Sequence, residues 1–275
     1  MGARPVALLL AVTVLSAVRA ATPLTYPDAP RGPVVDSYHG HTVADPYRWL
    51  EDSSTSESAR WLRSEAQLTT DYLSTLHTRN HIARRLTELS DSGHMDVPWC
   101  EAGKVFWLES RAGRPQPVLR VASTPGEKGR DFFDPNRISP DGSVEVSDLL
   151  VSPDAHLLAY RAARGGADRG EIRVRDMASD RDTPDVVDGY NACWTRDGRG
   201  FFYAQPVRTA GSDDSSARAG MRACYHRLGD TQDHDVRVVE WGQSASWIYF
   251  MTSEDGRHAA AVAEMGPVSE IYMVD

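Results

Sequence analysis

Three segments in the second half of the chain repeat one pattern, a polar turn containing aspartate followed directly by a short strand-like run. They are SPDAHLLAY (Ser152–Tyr160), TRDGRGFFY (Thr195–Tyr203) and SEDGRHAAA (Ser253–Ala261). The first two begin 43 residues apart and the last two 58, with the excess in an insertion rich in Gly, Ser and Asp (residues 211–220). Units of roughly 40 to 50 residues with about four short strands each are typical of β-propeller blades.

The rest of the chain from about Asp96 has the same character. Gly, Pro, Asp and Ser separate short apolar runs that are typical of strands, and no long helical stripe interrupts them, which indicates a mainly β, antiparallel fold. A β-sandwich is the alternative, but its strands would not repeat so closely. The runs are Val105–Leu108, Val118–Val121, Leu149–Val151, Leu157–Tyr160, Ile172–Val174, Phe201–Tyr203, Val236–Val239, Ile248–Met251 and Ile271–Val274.

The first third of the chain has a different pattern. Residues 36–52 (DSYHGHTVADPYRWLED) carry Tyr38, Tyr47 and Trp49, whose apolar faces and polar tips suit a docking surface. Asp45-Pro46 predicts a turn or extended backbone, because proline disfavours a helical residue before it. The preceding proline-rich residues 21–32 predict an extended arm.

Two helices should follow this segment. Ser54 or Thr55 is a suitable N-cap for a first helix, which carries an apolar stripe from Trp61 to Leu76. A second helix, about His81–Leu89, places Ile82, Leu86 and Leu89 on one side. The simplest interpretation of both stripes is packing into a core.

Residues 1–20 resemble a signal peptide. A short cationic start precedes the uncharged apolar run of residues 5–18, and Val18 and Ala20 suit a signal peptidase that cleaves after Ala20. A membrane anchor is the weaker alternative, because fourteen residues fall short of the roughly 20 needed to span a bilayer. We therefore expect an exported protein, periplasmic or extracellular. Its net charge of −9 argues against nucleic acid and anionic membrane as partners.

Cysteines and possible metal ligands are few. Cys100, Cys193 and Cys224 cannot form a fully paired framework, so we expect buried cysteines with at most one bridge. His39 and His41 lie near Asp36 and Asp45, but no ligand spacing supports a metal site. The paired acids Glu51-Asp52 more simply favour a helix start. The sequence predicts neither a metal nor a cofactor.

Several segments together resemble the prolyl oligopeptidase family of serine peptidases. Tyr26-Pro27, HGHTVADPYRWLED, Trp61 and Leu68-Thr69 resemble the N-terminal signature of that family. DPNRISPDGSVEV (Asp134–Val146), SPDAHLLAY, EIRVRDM (Glu171–Met177), WTRDGRGFFY (Trp194–Tyr203) and YHRLGDTQDHDVRVVE (Tyr225–Glu240) resemble successive propeller blades in the same order. The resemblance spans nearly all of the chain after the signal peptide.

The resemblance implies a two-domain enzyme that cleaves short peptides after proline. In this family a seven-bladed propeller restricts access to an α/β-hydrolase domain, against which the N-terminal segment packs. Tyr190 matches the position of a propeller aromatic that reaches toward the substrate, although residues 184–194 are a few residues shorter than in the family. A substrate-side arginine of the fourth blade is replaced by apolar residues around Val262 and Ala263.

The chemistry of the family requires a G-x-S-x-G elbow that exposes the serine, followed by an acid and a histidine. This elbow is missing from the sequence; the nearest string, Gly242–Ser246 (GQSAS), lacks the second glycine and lies between strand runs, so Ser244 is expected to be a loop serine. The predicted organisation is a signal peptide (1–20), an N-terminal extended and helical segment (21–90) and about four of seven blades (91–275).

Two functions remain open at this point. The chain is expected to be the non-catalytic N-terminal portion of an exported peptidase, inactive on its own because the α/β-hydrolase domain is absent. In the alternative it is a non-catalytic binding module that completes its ring with a partner chain or by self-association, because open sheet edges are templates for strand addition.

Cleavage after Ala20 is directly testable. Secretory expression should yield a mature chain beginning at Ala21, because the small residue at position 20 fits the cleavage site. Intact-mass spectrometry of the exported protein measures this. A product that retains residues 1–20 would contradict the prediction, and an Ala20→Arg variant, which should not be processed there, is the control.

Overall fold

The computed structural model describes residues 23–90, 93–167, 170–208, 218–242 and 245–274. The predicted signal peptide, Asp213-Asp214 of the insertion and Ser244 lie outside the described residues. The chain divides into two compact units between Arg85 and Leu86, and each is described by itself below.

The first unit begins with an extended arm and a β-hairpin. Strands β1 (Val35–Tyr38) and β2 (His41–Ala44) pair antiparallel, with Val35 opposite Ala44. His39 and Gly40 form the tight turn at φ 52° and 83°, the left-handed values that two-residue hairpins require. The sequence analysis missed this hairpin because its strands are short and alternate weakly.

The hairpin is fastened to the following turn by one arginine. The Arg48 guanidinium binds Asp36 on β1 and Asp45, the latter at 2.6 Å. The Trp49 Nε1 donates to the carbonyl of Pro30 in the extended arm at 2.9 Å. None of the aromatic docking residues is buried: Tyr47 is exposed and Trp49 is half-buried. The segment therefore keeps much of its apolar surface open.

Two helices follow, α1 (Ser56–Ser74) and α2 (His77–Ser90). Thr55 is the N-cap of α1, and its Oγ1 accepts from the Ser58 amide, as the capping pattern predicted. The expectation that their apolar stripes pack into a core is wrong. Ser58 is the only buried residue of α1, and Ile82 of α2 is 53% exposed. Helical periodicity identifies an apolar face but not what covers it.

The second unit consists of four antiparallel sheets in chain order, the arrangement of propeller blades that the repeat predicted. Each predicted strand run lies within an observed strand. Blade 1 contains β3 (His94–Met95), β4 (Trp99–Glu101), β5 (Lys104–Ser110), β6 (Val118–Ala122) and β7 (Arg130–Phe133); blade 2 contains β8 (Val144–Val151), β9 (Leu157–Arg164), β10 (Gly170–Asp176) and β11 (Arg181–Asp188). Blade 3 contains β12 (Tyr190–Trp194), β13 (Gly200–Arg208), β14 (Arg218–Arg227) and β15 (Val236–Gly242); blade 4 contains β16 (Trp247–Thr252), β17 (Ala259–Met265) and β18 (Val268–Val274).

Three apolar cores join the four blades face to face. Alternate residues of one strand serve different cores: in β9, Leu158 and Tyr160 pack with Phe106 of blade 1, whereas Ala159 packs with Phe201 of blade 3. The third core joins blades 3 and 4 and includes Met221, Trp241, Ile248 and Ala261. Each internal sheet therefore contributes apolar residues to cores on both of its faces, so that adjacent residues of one strand can both be buried.

The repeated turn has a common hydrogen-bonding scheme. In the turns before β9, β13 and β17, a hydroxyl (Ser152, Thr195 or Ser253) donates to the aspartate two residues later at 2.6 to 2.7 Å. That carboxylate in turn accepts from the backbone amide two residues further on. Gly198 and Gly256 adopt a positive φ, and Ala155 takes the same position in blade 2. The turn aspartates therefore have a structural role.

The cysteines are less uniform than expected. All three are free; Cys224 is buried and Cys193 half-buried, but Cys100 is exposed, which contradicts its predicted burial. Cys100 lies on the short strand β4, which pairs only with β5. Neither helix in the described part of the chain combines the length and apolar character needed to cross a bilayer.

A buried histidine connects blade 2 with blade 3 through its contacts with two carboxylates. His226 on β14 is fully buried, and its Nδ1 and Nε2 face carboxylate oxygens of Asp235 (2.7 Å) and Asp185 (3.2 Å). Both contacts are hydrogen bonds only when the ring carries both protons. Burial favours a higher pKa for Asp185, but hydrogen bonds from Thr183, the Gly229 amide and His226 outweigh it and hold the pKa below its usual value.

Replacing this histidine should destabilise the second unit strongly. We expect His226→Leu to cost ~3–5 kcal/mol of unfolding free energy, because two buried carboxylates lose their shared partner. Urea unfolding measures this loss. His156→Leu is the control: His156 is exposed, and its replacement should change stability by no more than about 0.5 kcal/mol.

The same cluster gives a pH dependence. Because the pKa of Asp185 is lowered, its contribution is present at neutral pH and is lost as the pH falls through that lowered value. The stability difference between wild type and Asp185→Asn should therefore shrink below about pH 4. A difference that stays constant from pH 7 to pH 3 would contradict this account.

Candidate functional site

A cleft of about 440 Å³ opens where the first strands of blades 2, 3 and 4 come together. These strands, β8, β12 and β16, supply most of its walls, and the β9–β10 hairpin supplies the remainder. The lining residues are Glu145, Ser147, Asp148, Arg161, Gly166, Ala167, Tyr190, Asn191 and Trp247. Three blades thus contribute side chains to one cleft, which is the usual way that a propeller forms a site along its inner strands.

Two of the strands are bulged at this cleft. The pairing of β8 with β9 shifts register between Ser147 and Leu150, and that of β12 with β13 shifts between Tyr190 and Cys193. Within these bulges Asp148 and Asn191 adopt left-handed backbone conformations, with φ of 50° and 51°. Bulges and left-handed residues other than glycine are enriched at functional sites, where they redirect a side chain.

Asn191 also connects two of the strands that line the cleft. Its Nδ2 donates to the carbonyl of Ile248 on β16 at 2.9 Å, which joins the first strands of blades 3 and 4. On the other side, the Trp194 Nε1 donates to the carbonyl of Leu150 on β8 at the same distance. The walls are therefore fixed by hydrogen bonds between blades as well as by apolar packing.

Tyr190, the one substrate contact suggested from sequence, lies in this cleft. It is half-buried, its ring meets Trp247 edge to face with 6.2 Å between centroids, and the Arg161 guanidinium lies 4.8 Å from the ring centroid. Trp247 remains 43% exposed. A tyrosine flanked by an arginine and an open indole forms a firm aromatic wall.

Two acidic side chains and one basic side chain line the cleft, namely Glu145, Asp148 and Arg161. Partial burial raises the pKa of Asp148, opposed by the charge of Arg161 and assisted by that of Glu145. Among the described residues, neither Glu145 nor Asp148 has a hydrogen-bonding side-chain partner. With Arg161 close to Tyr190, the titratable side chains of the cleft carry one more negative than positive charge at neutral pH.

A salt bridge, rather than an open cleft, lies at the opposite end of β12. Arg196, just after β12, pairs with Glu101 of blade 1 at 3.1 Å, although the two lie 95 residues apart in sequence. A Cβ added at Gly256, in the corresponding turn of blade 4, would lie 3.0 Å from the Arg196 side chain. A charged pair from blades 1 and 3 and a turn of blade 4 therefore meet at that end, while the open cleft lies at the other.

No described residue provides the machinery of a serine peptidase. The one histidine held between carboxylates, His226, is enclosed and both of its nitrogens are engaged. His39 and His41 lie on an exposed hairpin whose neighbouring Asp36 and Asp45 bind Arg48. Within the described ranges no three His, Cys, Asp or Glu side chains are placed to hold a metal ion.

Sequence analysis missed most of the cleft, including Glu145, Asp148, Arg161, Asn191 and Trp247. A weak signal was present for two of them. Asp148 and Asn191 interrupt strand-like runs, and these two residue types tolerate the left-handed conformation better than others. No sequence pattern indicated that the two bulges, 43 residues apart, would meet.

Comparison with known proteins places this architecture in a family. Residues 27–275 match the family described as prolyl oligopeptidase, N-terminal beta-propeller domain. Curated relatives include a dual function macrocyclase-peptidase from Galerina marginata (31% identity, 86% of this chain and 36% of the relative) and a prolyl endopeptidase from Elizabethkingia miricola (27%, 92% and 36%). The chain thus spans about a third of the length of these relatives.

Similar solved structures support the same family assignment. The fold matches a structure from a study of two prolyl endopeptidases with a TM-score of 0.72 and 26% identity, over 90% of this chain and 38% of the other. It also matches prolyl oligopeptidase B from Galerina marginata bound to a 35mer hydrolysis and macrocyclization substrate (TM-score 0.67, 26%, 92% and 40%). This chain belongs to the prolyl oligopeptidase family, and its four blades match the N-terminal β-propeller domain of that family.

Proposed function

We propose that this chain is the N-terminal, non-catalytic portion, including four propeller blades, of a serine peptidase that cleaves short peptides after proline, and that its blades control which peptides reach the catalytic centre. The observation that carries the proposal is the match of residues 27–275 to the propeller domain of this family. The cleft at β8, β12 and β16 supports it, because bulged strands and aromatic side chains there offer a surface suited to a peptide.

The catalytic groups would come from a hydrolase domain of a longer protein. Peptide hydrolysis of this type needs a serine nucleophile, a histidine base oriented by an acid, and amide donors that stabilise the oxyanion. The described residues offer no such set. The chain matches only 36% of the length of its curated relatives, whose names include peptidase activity.

The first unit offers a surface for such a domain. Several apolar side chains of its two helical segments are exposed, and so are Tyr38 and Tyr47 of the hairpin segment; on the helices they are Leu62, Tyr72, Leu73, Leu76 and Ile82. Extensive exposed apolar surface is typical of an interface. We propose that the hydrolase domain covers it.

We also propose that the protein is exported to the periplasm or the exterior. Support comes from the cationic start and apolar run of residues 1–20, a pattern typical of secretory signals.

The alternative function, a binding module that completes its propeller by self-association, has one specific observation in its favour. The outer face of blade 4 is apolar and open: Tyr249 and Met251 on β16 and Ile271 and Met273 on β18 are all exposed, Ile271 by 66%. Because β18 is the last strand of its sheet, it also offers an edge for pairing.

The two functions predict different behaviour in solution. Under the first, this chain gives no turnover of a proline-containing reporter peptide, because the described residues include no reactive serine system. Hydrolysis abolished by a serine-directed inhibitor would overturn that expectation. Reading the coding sequence beyond Asp275 for a G-x-S-x-G elbow followed by Asp and His is the complementary test; a stop codon with no such motif in any frame would count against the first function.

Size-exclusion chromatography with light scattering tests the alternative. A soluble dimer of defined mass supports self-association, whereas a monomer or polydisperse aggregate argues against it. Ile271→Lys, which places a charge on the open face of blade 4, should dissociate such a dimer. Val236→Lys, an exposed position on β15 of blade 3, is the matched control.

Tyr190 is expected to contact the peptide. Tyr190→Ala should weaken binding of a short proline-containing peptide to this chain by roughly fivefold, because a hot-spot aromatic typically contributes 1 kcal/mol or more. Isothermal titration calorimetry measures the change, with Tyr26→Ala, an exposed aromatic of the extended arm, as control. Equal affinity of Tyr190→Ala and wild type would remove Tyr190 from the site.

A further inference from the structure

We propose that the cleft at β8, β12 and β16 binds a positively charged group of the incoming peptide, either its N-terminal ammonium or a lysine or arginine side chain. The inference rests on the proposed function, because it assumes that peptides enter this cleft. It adds that the propeller selects among them by charge.

The two acidic side chains of the cleft have unused hydrogen-bonding capacity. Glu145 and Asp148 line the same cleft, and among the described residues neither has a hydrogen-bonding side-chain partner. Elsewhere in the second unit, acids in comparable positions are paired, as Glu101 is with Arg196 and Asp131 with Arg111. Two unpaired carboxylates in one cleft provide acceptors that a cationic group can satisfy through charge-assisted hydrogen bonds.

The backbone at Asp148 adopts an unusual conformation that places this residue in the cleft. Without the bulge in β8, this residue would continue the alternation of the strand; with it, the chain adopts φ of 50° and Asp148 lines the cleft beside Glu145. A left-handed residue other than glycine costs conformational energy. The packing and hydrogen bonds around β8 hold Asp148 in this costly conformation, in which its carboxylate is accessible in the cleft.

The aromatic wall of the cleft is also suited to a cation. The ring of Tyr190 already accepts a cation, the Arg161 guanidinium at 4.8 Å from its centroid, while the indole of Trp247 keeps 43% of its surface exposed. Indole is the side chain that attracts cations most strongly. Carboxylates beside an open indole form the combination that binds ammonium and guanidinium groups.

Other ligand classes fit less well. An anion would meet two carboxylates and a single arginine, Arg161, whose guanidinium already lies over the Tyr190 ring. A metal ion would need at least three protein ligands, and the described residues offer no such group here. A neutral peptide could enter the cleft, but it would offer the two carboxylates no charge-assisted hydrogen bond.

The experiment compares four peptides that share a proline and differ in charge, titrated calorimetrically into the full chain. They are Ac-Ala-Lys-Ala-Pro-Ala-NH2 with a basic side chain, its norleucine analogue with a free N-terminus, the acetylated norleucine analogue, and the acetylated glutamate analogue. We expect the cationic peptides to bind roughly fivefold tighter than the neutral one, and the acidic one to bind weakest. The first two peptides distinguish the two sources of positive charge.

Two variants localise the effect. Glu145→Gln alters an exposed side chain, and Asp148→Asn keeps a residue that tolerates the left-handed conformation, so both should fold. Each should reduce the preference for the cationic peptide, and the double variant should abolish it while leaving neutral-peptide affinity unchanged. Glu254→Gln removes the same charge from an exposed turn outside the cleft and should keep the full preference.

Each contrary outcome has a distinct meaning. Equal affinity for cationic and neutral peptides overturns the charge selection and leaves peptide entry intact. A preference that persists in the double variant, or that Glu254→Gln reduces equally, shows a general effect of net charge and also overturns it. Binding of none of the four peptides overturns both this inference and the peptide-binding role of the cleft, whereas the test for catalysis in a longer protein remains separate.

Discussion

The second unit depends on one requirement: an internal blade must be covered on both faces. The three apolar cores satisfy it by using alternate residues of one strand for different neighbours, as Leu158 and Ala159 do on β9. Apolar burial is the main stabilising contribution, and it is not directional. Directional contacts between blades 2 and 3, namely that of His226 with Asp185 and the hydrogen bond from the Trp194 indole to the Leu150 carbonyl, then help to fix the relative orientation of these two blades.

This arrangement explains why the candidate site lies on the inner strands. Hydrogen bonding and core packing constrain β8, β12 and β16 from several sides, so two of them can hold left-handed residues at Asp148 and Asn191. Strained positions persist only where their surroundings determine them fully. The repeated hydroxyl and aspartate turns fix the hairpins that follow the same strands. A regular scaffold thereby supports an irregular, polar cleft.

Local patterns predicted the elements well and their surroundings poorly. The turn repeat indicated blades, and Thr55 was recognised as a helix cap, because both depend on interactions within a few residues. The apolar stripes of α1 and α2 were real, yet the inferred core packing was wrong. The β1–β2 hairpin and the exposure of Cys100 escaped prediction because short strands carry little periodic signal. Tyr190 was proposed only through family resemblance.

By itself the sequence determined the mainly β class and the number of blades, because these follow from short-range turn chemistry and strand periodicity repeated along the chain. The family followed from the resemblance of several segments, in the same order, to that family. Only the tertiary structure decided which polar residues share a cleft. Glu145, Tyr190 and Trp247 come from three blades, and their meeting depends on how the blades stack and on two bulges that shift register. The positions of the bulges and the stacking of the blades depend on packing between distant strands, which leaves only a weak trace in the local pattern.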